Sequence, residues 1–121
     1  QGMQAVVVPT LSRWFTEPFR VSQPELMLQM AAMIEATSVD GFAGCCAALG
    51  QVHLSRSLHQ LRLPALVLAG GRDQATPVTM AQQLAEHWPG AALVVLPKAA
   101  HISNVECADA FNSAVLGFLR G

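Results

Sequence analysis

The sequence has no tyrosine, little charge and few cysteines, and each scarcity removes a class of function. Seven basic residues stand against eight acidic ones, and the net charge is -1. Nucleic acid is bound through a dense basic footprint, usually with aromatic residues for stacking. With aromatics at only 6% of the chain, neither feature is present, and a nucleic-acid partner is not expected. The three cysteines are Cys45, Cys46 and Cys107. Cys45 and Cys46 are adjacent and badly placed to bond each other, and an odd count argues against a disulfide framework. Free thiols in a reducing cytoplasm are the expectation. No C-x-x-C or H-x-x-x-H spacing occurs, and His53, His59, His87 and His101 are scattered, so no metal or cofactor is expected. No apolar run approaches the roughly 18 residues a membrane helix needs. The opening QGMQAVVVPT lacks the basic region and long apolar core of a signal peptide.

What the sequence has in quantity is apolar residues, 52% of the chain, enough for one domain with a core. Two regions differ in pattern. Residues 1–60 are rich in Met, Ala, Leu and Gln, without strand-like alternation. Leu26, Met27, Met30, Ala31, Met33 and Ile34 repeat with a helical period, which predicts a helix over Glu25–Ala36 with Ser22 as its cap. Asp40-Gly41 reads as a turn, followed by a short helix over Phe42–Leu49 and a third segment over Ser55–Leu61. The region is expected to be a small helical layer.

Residues 61–121 carry two short, uninterrupted apolar runs, 65–69 and 92–96. Runs of this kind suit strands covered on both faces of a parallel sheet. Between them a helix is predicted over Pro77–Trp88, with Thr76 as cap and Pro77 at the first helical position. A second helix is predicted over Asn104–Leu119. The order is β-α-β-α, one α/β unit with two parallel strands.

Each predicted strand is followed by one residue with chemical capacity, Asp73 after the first and His101 after the second. In open α/β sheets, sites gather at the carboxyl ends of strands. Neighbouring parallel strands lie about 5 Å apart, so both loops reach the same edge. An Asp beside a His holds the imidazole in one tautomer and stabilises its protonated form. Gly70 and Gly71 are expected to let the backbone turn sharply before the acid. The other titratable residues have simpler readings. His87 suits a helix C-terminus, Asp109 a solvated helix face, and His53 and His59 a surface or the helical layer.

Residues 63–119 resemble the C-terminal end of the α/β-hydrolase superfamily. P-A-L-V-L-A-G-G-R-D-x-x-T-P is similar to the strand and loop that carry the triad acid. A-A-H-I-S-N-V-E is similar to the loop that carries the triad histidine, and the order acid then histidine matches. Gly44-Cys45-Cys46-Ala47, His101–Glu106 with Ala110-Phe111, and R-W-F-T at Arg13–Thr16 resemble the 3-oxoadipate enol-lactonases in particular. The resemblance implies a helical cap over residues 1–60 and a hydrolase core over 61–121. It also implies a lactone or ester substrate that bears a carboxylate. Arg13 would pair with that carboxylate and Trp14 would wall the pocket.

The superfamily places its nucleophile on a strand-to-helix turn of pattern G-x-S-x-G, and none of the serines here has those glycine flanks. The chain therefore reads as the C-terminal half of an enzyme, with an acid and a base and nothing to activate. It is expected to be inactive by itself, and to associate with an N-terminal half or with itself as a homodimer. Two alternatives stand beside this. Cys46 in Gly44-Cys45-Cys46-Ala47-Ala48 falls in the right order with Asp73 and His101 to be a cysteine nucleophile, although a thiol buried in a cap helix is the simpler reading. A non-catalytic α/β association module is the other.

Overall fold

The structure is a computed structural model of the chain and describes residues 2–53 and 55–121. Four helices come first: α1 (Gln4–Trp14), α2 (Glu17–Ser22), α3 (Pro24–Glu35) and α4 (Val39–Gly50), followed by a 3-10 segment at Ser55–Gln60. The α/β unit follows as β1 (Ala65–Gly70), α5 (Val78–His87), β2 (Ala91–Leu96), α6 (Ser103–Glu106) and α7 (Ala108–Leu119).

The helical layer is larger than the periodicity of residues 25–36 suggests. Met3 at the N-cap and Val7, Leu11 and Trp14 of α1 form one stripe and pack against Ala31 and Ile34 of α3. The stripe is easy to overlook because Pro9 lies inside the helix and hides its continuity. Helix α2 begins with Pro18 in its first turn, where the missing N–H is not needed. Helix α3 starts from Gln23 without a side-chain cap, and the Ser22 hydroxyl donates to the Phe19 carbonyl at 3.0 Å instead. Asp40-Gly41 is not a turn. Ser38 caps α4 by accepting the Gly41 N–H at 3.0 Å, which draws both residues into the first helical turn. Helix α4 buries none of its residues and α3 buries only Ile34. The two are bent 89° apart, and among the described residues no single helix is long and apolar enough to cross a membrane.

The strands pair in parallel from Ala65↔Ala91 to Gly70↔Leu96. The sheet has these two strands, and Leu66, Val67 and Leu68 in the middle of β1 are only half-buried. The expected cover on both faces is therefore incomplete. The last helix is interrupted: Cys107 adopts φ -129° and ψ 53°, which ends α6 and starts α7. That break turns Glu106 back toward the loops.

The loops at the carboxyl ends of the strands are packed backbone to backbone. Gly71 N–H donates to Leu96 O at 2.8 Å and Arg72 N–H to Ala99 O at 2.8 Å. Neither Gly70 nor Gly71 has a positive φ, so a sharp turn is not the reason for glycine here. The reason is space. A Cβ on Gly70 would overlap the Ala100 carbonyl oxygen and lie 2.6 Å from Ala99 O, and one on Gly71 would lie 2.8 Å from Pro97 Cα. Ala99 and Ala100 are buried in consequence.

Candidate active site

Asp73 and His101 meet at the edge formed by the ends of β1 and β2. His101 Nδ1 lies 2.9 Å from Asp73 Oδ2. The Asp73 side chain is 6% exposed and the His101 side chain 32%, so the acid sits behind the imidazole and the ring faces outward. Asp73 Oδ1 accepts the N–H groups of Ala75 (2.8 Å) and Thr76 (2.9 Å), which folds the segment after β1 back onto its own carboxylate. Burial by itself pushes this carboxyl up. The Thr76 N–H, His101, the Thr76 hydroxyl and the Ala75 N–H outweigh it, and the carboxyl is held below its usual 3.8. The acid is thus an anion aimed at Nδ1, an arrangement that leaves Nε2 as the available ring nitrogen.

Thr76 does not cap α5. Pro77 occupies the N-cap position, and no side-chain hydrogen bond forms there. The Thr76 hydroxyl donates to Asp73 Oδ2 at 2.8 Å and lies 3.2 Å from His101 Nδ1.

Glu106 escaped the sequence reading, although it closes the stretch H-I-S-N-V-E. Its Oε2 accepts the Ala100 N–H at 2.7 Å, directly before His101. Its Oε1 accepts the Thr16 N–H at 3.0 Å and also the Thr16 hydroxyl. Ile102 N–H donates to Trp14 O at 3.0 Å beside this contact. One carboxylate thus fastens the histidine loop to the α1–α2 junction, where Phe15 is 1% exposed. A carboxylate six residues past a histidine has many bland readings in a sequence. Only the break at Cys107 shows where it turns.

A cavity of about 830 Å³ opens between the α1–α2 junction and the strand-end loops. Its lining includes Phe15, Arg20, Arg72, Asp73 and Lys98. Arg20 donates from Nη1 to Ser12 Oγ at 2.5 Å, while its Nε is buried and has no hydrogen-bond partner among the described residues. A second hollow of about 300 Å³ runs along β1 past Asp73, Thr76, Met80 and His101. Arg13 is exposed and lines neither space. Trp14 is half-buried, packs on the Met3–Val7–Ile34 cluster, and reaches the histidine loop through its carbonyl rather than its indole. Arg20, which has no motif to mark it in the sequence, lines the larger cavity.

Cys46 is exposed rather than buried, and lies within α4. A nucleophile elbow needs a strand before it and a helix after it. Cys46 has helix on both sides and lines neither space around Asp73 and His101.

The sequence profile of the alpha/beta hydrolase fold matches residues 11–107. Over 120 residues the chain is 38% identical to 3-oxoadipate enol-lactonase 2 of Acinetobacter baylyi, covering 99% of this chain and 45% of that enzyme. The crystal structure of the enol-lactonase from Burkholderia xenovorans LB400 superimposes with a TM-score of 0.96 at 34% identity, over 100% of this chain and 46% of that one. A hydrolase from Pseudomonas aeruginosa PA01 superimposes with a TM-score of 0.91 at 36% identity, over 100% of this chain and 45% of that one. The chain spans a little under half the length of the relatives it matches.

Proposed function

The chain belongs to the α/β-hydrolase family, with its parallel strand pair and helices forming a C-terminal part of that fold, and from this premise we propose that it supplies the acid and the base of a serine-type lactone or ester hydrolase. The observation that carries the reading is the 2.9 Å contact between Asp73 and His101 at the carboxyl ends of paired parallel strands. A serine from outside this sequence attacks the substrate carbonyl and passes its proton to His101 Nε2. Asp73 stabilises the imidazolium that forms. His101 returns the proton to the leaving oxygen as the ring C–O bond breaks. It then takes a proton from water, whose attack on the acyl-serine frees the acid and regenerates the serine.

The substrate class we propose is a small lactone that bears a carboxylate, as the name of the Acinetobacter relative suggests. Support comes from the cavity beside Asp73, where Arg20, Arg72 and Lys98 outnumber the acidic side chains Glu17 and Asp73. Asp73 is already committed to His101, and Arg20 has an Nε unpartnered among the described residues. Nε is shut away from the cavity, so a substrate carboxylate would meet the terminal nitrogens of this guanidinium.

The test is hydrolysis of 3-oxoadipate enol-lactone by the chain co-expressed with the segment that completes the length of the Acinetobacter relative. Activity is expected for the pair and not for the chain alone. Arg20→Gln should raise KM for the carboxylate-bearing lactone about 10-fold or more while leaving a neutral ester unaffected. Equal loss on both substrates would remove Arg20 from recognition, and a completed protein inert toward every ester and lactone would remove the hydrolase reading.

A further inference from the structure

Thr76 is out of place for an ordinary helix cap, and its hydroxyl has a single proton to spend. That proton goes to Asp73 Oδ2 at 2.8 Å. Asp73 is ionised, so it can only accept. The 2.9 Å contact between the same Oδ2 and His101 Nδ1 must then be bridged by a proton that Nδ1 itself carries. The remaining lone pairs of the Thr76 hydroxyl lie 3.2 Å from Nδ1, where they can accept a share of that same N–H. A hydroxyl facing a bare Nδ1 would present lone pair to lone pair, with its only hydrogen engaged elsewhere.

We propose that Thr76 is a positioning residue for His101: its hydroxyl closes a three-membered hydrogen-bond ring with Asp73 Oδ2 and His101 Nδ1, and this ring fixes the direction of the imidazole, whose Nδ1–H tautomer Asp73 sets, with Nε2 open. Asp73 by itself offers Oδ2 to Nδ1 but leaves the ring free to rock about its χ2 axis, a broad torsion in histidine. Thr76 adds a second acceptor, and two acceptors fix a donor's direction where one does not. The local chain supports the geometry. Thr76 N–H is held at 2.9 Å by Asp73 Oδ1, so the same residue is fastened at its backbone and at its side chain. Pro77 restricts the backbone on its other side. Among the described residues, the charged group in contact with the imidazole is Asp73, from the loop after β1. Glu106, on α6, is taken up by Ala100 and Thr16. That Nε2 serves as a base rests on the hydrolase reading. The fixing of the ring's direction does not, and the two fail separately.

The experiment is two-bond nitrogen–proton correlation NMR of His101 in the chain as it stands, for wild type, Thr76→Val and Thr76→Ser, above the pH at which the ring is neutral. Wild type should show the Nδ1–H tautomer with a slowly exchanging ring proton. Thr76→Val keeps the backbone contact and the β-branch while removing the hydroxyl. It is expected to keep the Nδ1–H tautomer, which Asp73 enforces, and to speed exchange of the Nδ1 proton about 10-fold or more. Thr76→Ser is expected to restore the wild-type pattern. Thr76→Ala repeats the deletion without the added methyl group. A valine variant with the wild-type exchange rate would overturn the proposal. So would loss of folding in Val and Ala alike, because the hydroxyl would then be a support of the fold rather than of the ring.

Discussion

Asp73 is a carboxylate held between the Ala75 and Thr76 N–H groups on one oxygen and His101 Nδ1 on the other. Its position after an apolar strand, with His101 after the next, was enough to pair the two, because parallel neighbours must bring their carboxyl ends to one edge. Thr76 could not be read the same way, since a threonine before Pro77 has the local signature of a cap, whereas its hydroxyl is shared between Asp73, three residues back, and His101 on the loop after β2. Gly70 and Gly71 were legible as necessary glycines but for the wrong reason. Steric room for the Ala99–Ala100 backbone is a long-range property that no turn rule contains. Gly70→Ala should therefore cost about 1–3 kcal/mol, as overpacking against rigid backbone does, in a urea melt. It should also separate Asp73 from His101, seen as a loss of the slowly exchanging ring proton. A variant as stable as wild type would mean that the loop moves aside freely. The lowered carboxyl of Asp73 makes a pH prediction. The folded state binds fewer protons than the unfolded one near pH 3.8, so the stabilisation is complete above that value and is lost as pH falls through the lower folded value. The stability gap between wild type and Asp73→Asn, measured by urea melts, should be present at pH 7 and shrink below pH 3.8. A gap that is constant with pH would assign it to shape rather than charge.

Among the elements, the two strands and α5 were within reach of the sequence to within a residue or two, because short apolar runs and a Pro-Gly stop are local signals. The first two helices and the interruption at Cys107 were not. Pro9 masks α1, α2 is a short helix with no buried residue, and the break between α6 and α7 answers to a tertiary need. That need is Glu106, which must face the Thr16 N–H and the Ala100 N–H together. Glu106→Gln leaves one amide oxygen where two carboxylate oxygens accepted. Hydrogen bonds to a charged group are worth about 1.5–3 kcal/mol, and a loss in that range is expected in thermal or urea melts. Amide hydrogen exchange resolves the role further. The Thr16 and Ala100 amides should both exchange faster, because one carboxylate holds the helical layer and the histidine loop together. Acceleration at Ala100 alone would show that the Trp14–Ile102 contact holds the layer without it.

For the whole molecule, the surface is the leading fact. Val8, Val21, Leu28, Leu49 and Leu119 are exposed, α4 buries nothing, and a two-stranded sheet has two open edges. Apolar burial contributes about 25 cal/mol per Å², so a covering partner is strongly favoured. Light scattering at micromolar concentration is expected to find the isolated chain associated, and to find a complex of defined size once the segment completing the relatives' length is supplied. A compact monomer that melts cooperatively at 12.8 kDa would contradict this. Asp73 and His101 are proposed to work as the acid and base of a hydrolase, and lactone hydrolysis by the completed protein with His101 replaced tests this. His101→Ala is expected to lower kcat by about 10³-fold or more, as removal of a triad base does, with the fold and the complex intact. Turnover within a few-fold of wild type in that variant would rule out His101 as the base, since the proton would then be moving by some other route.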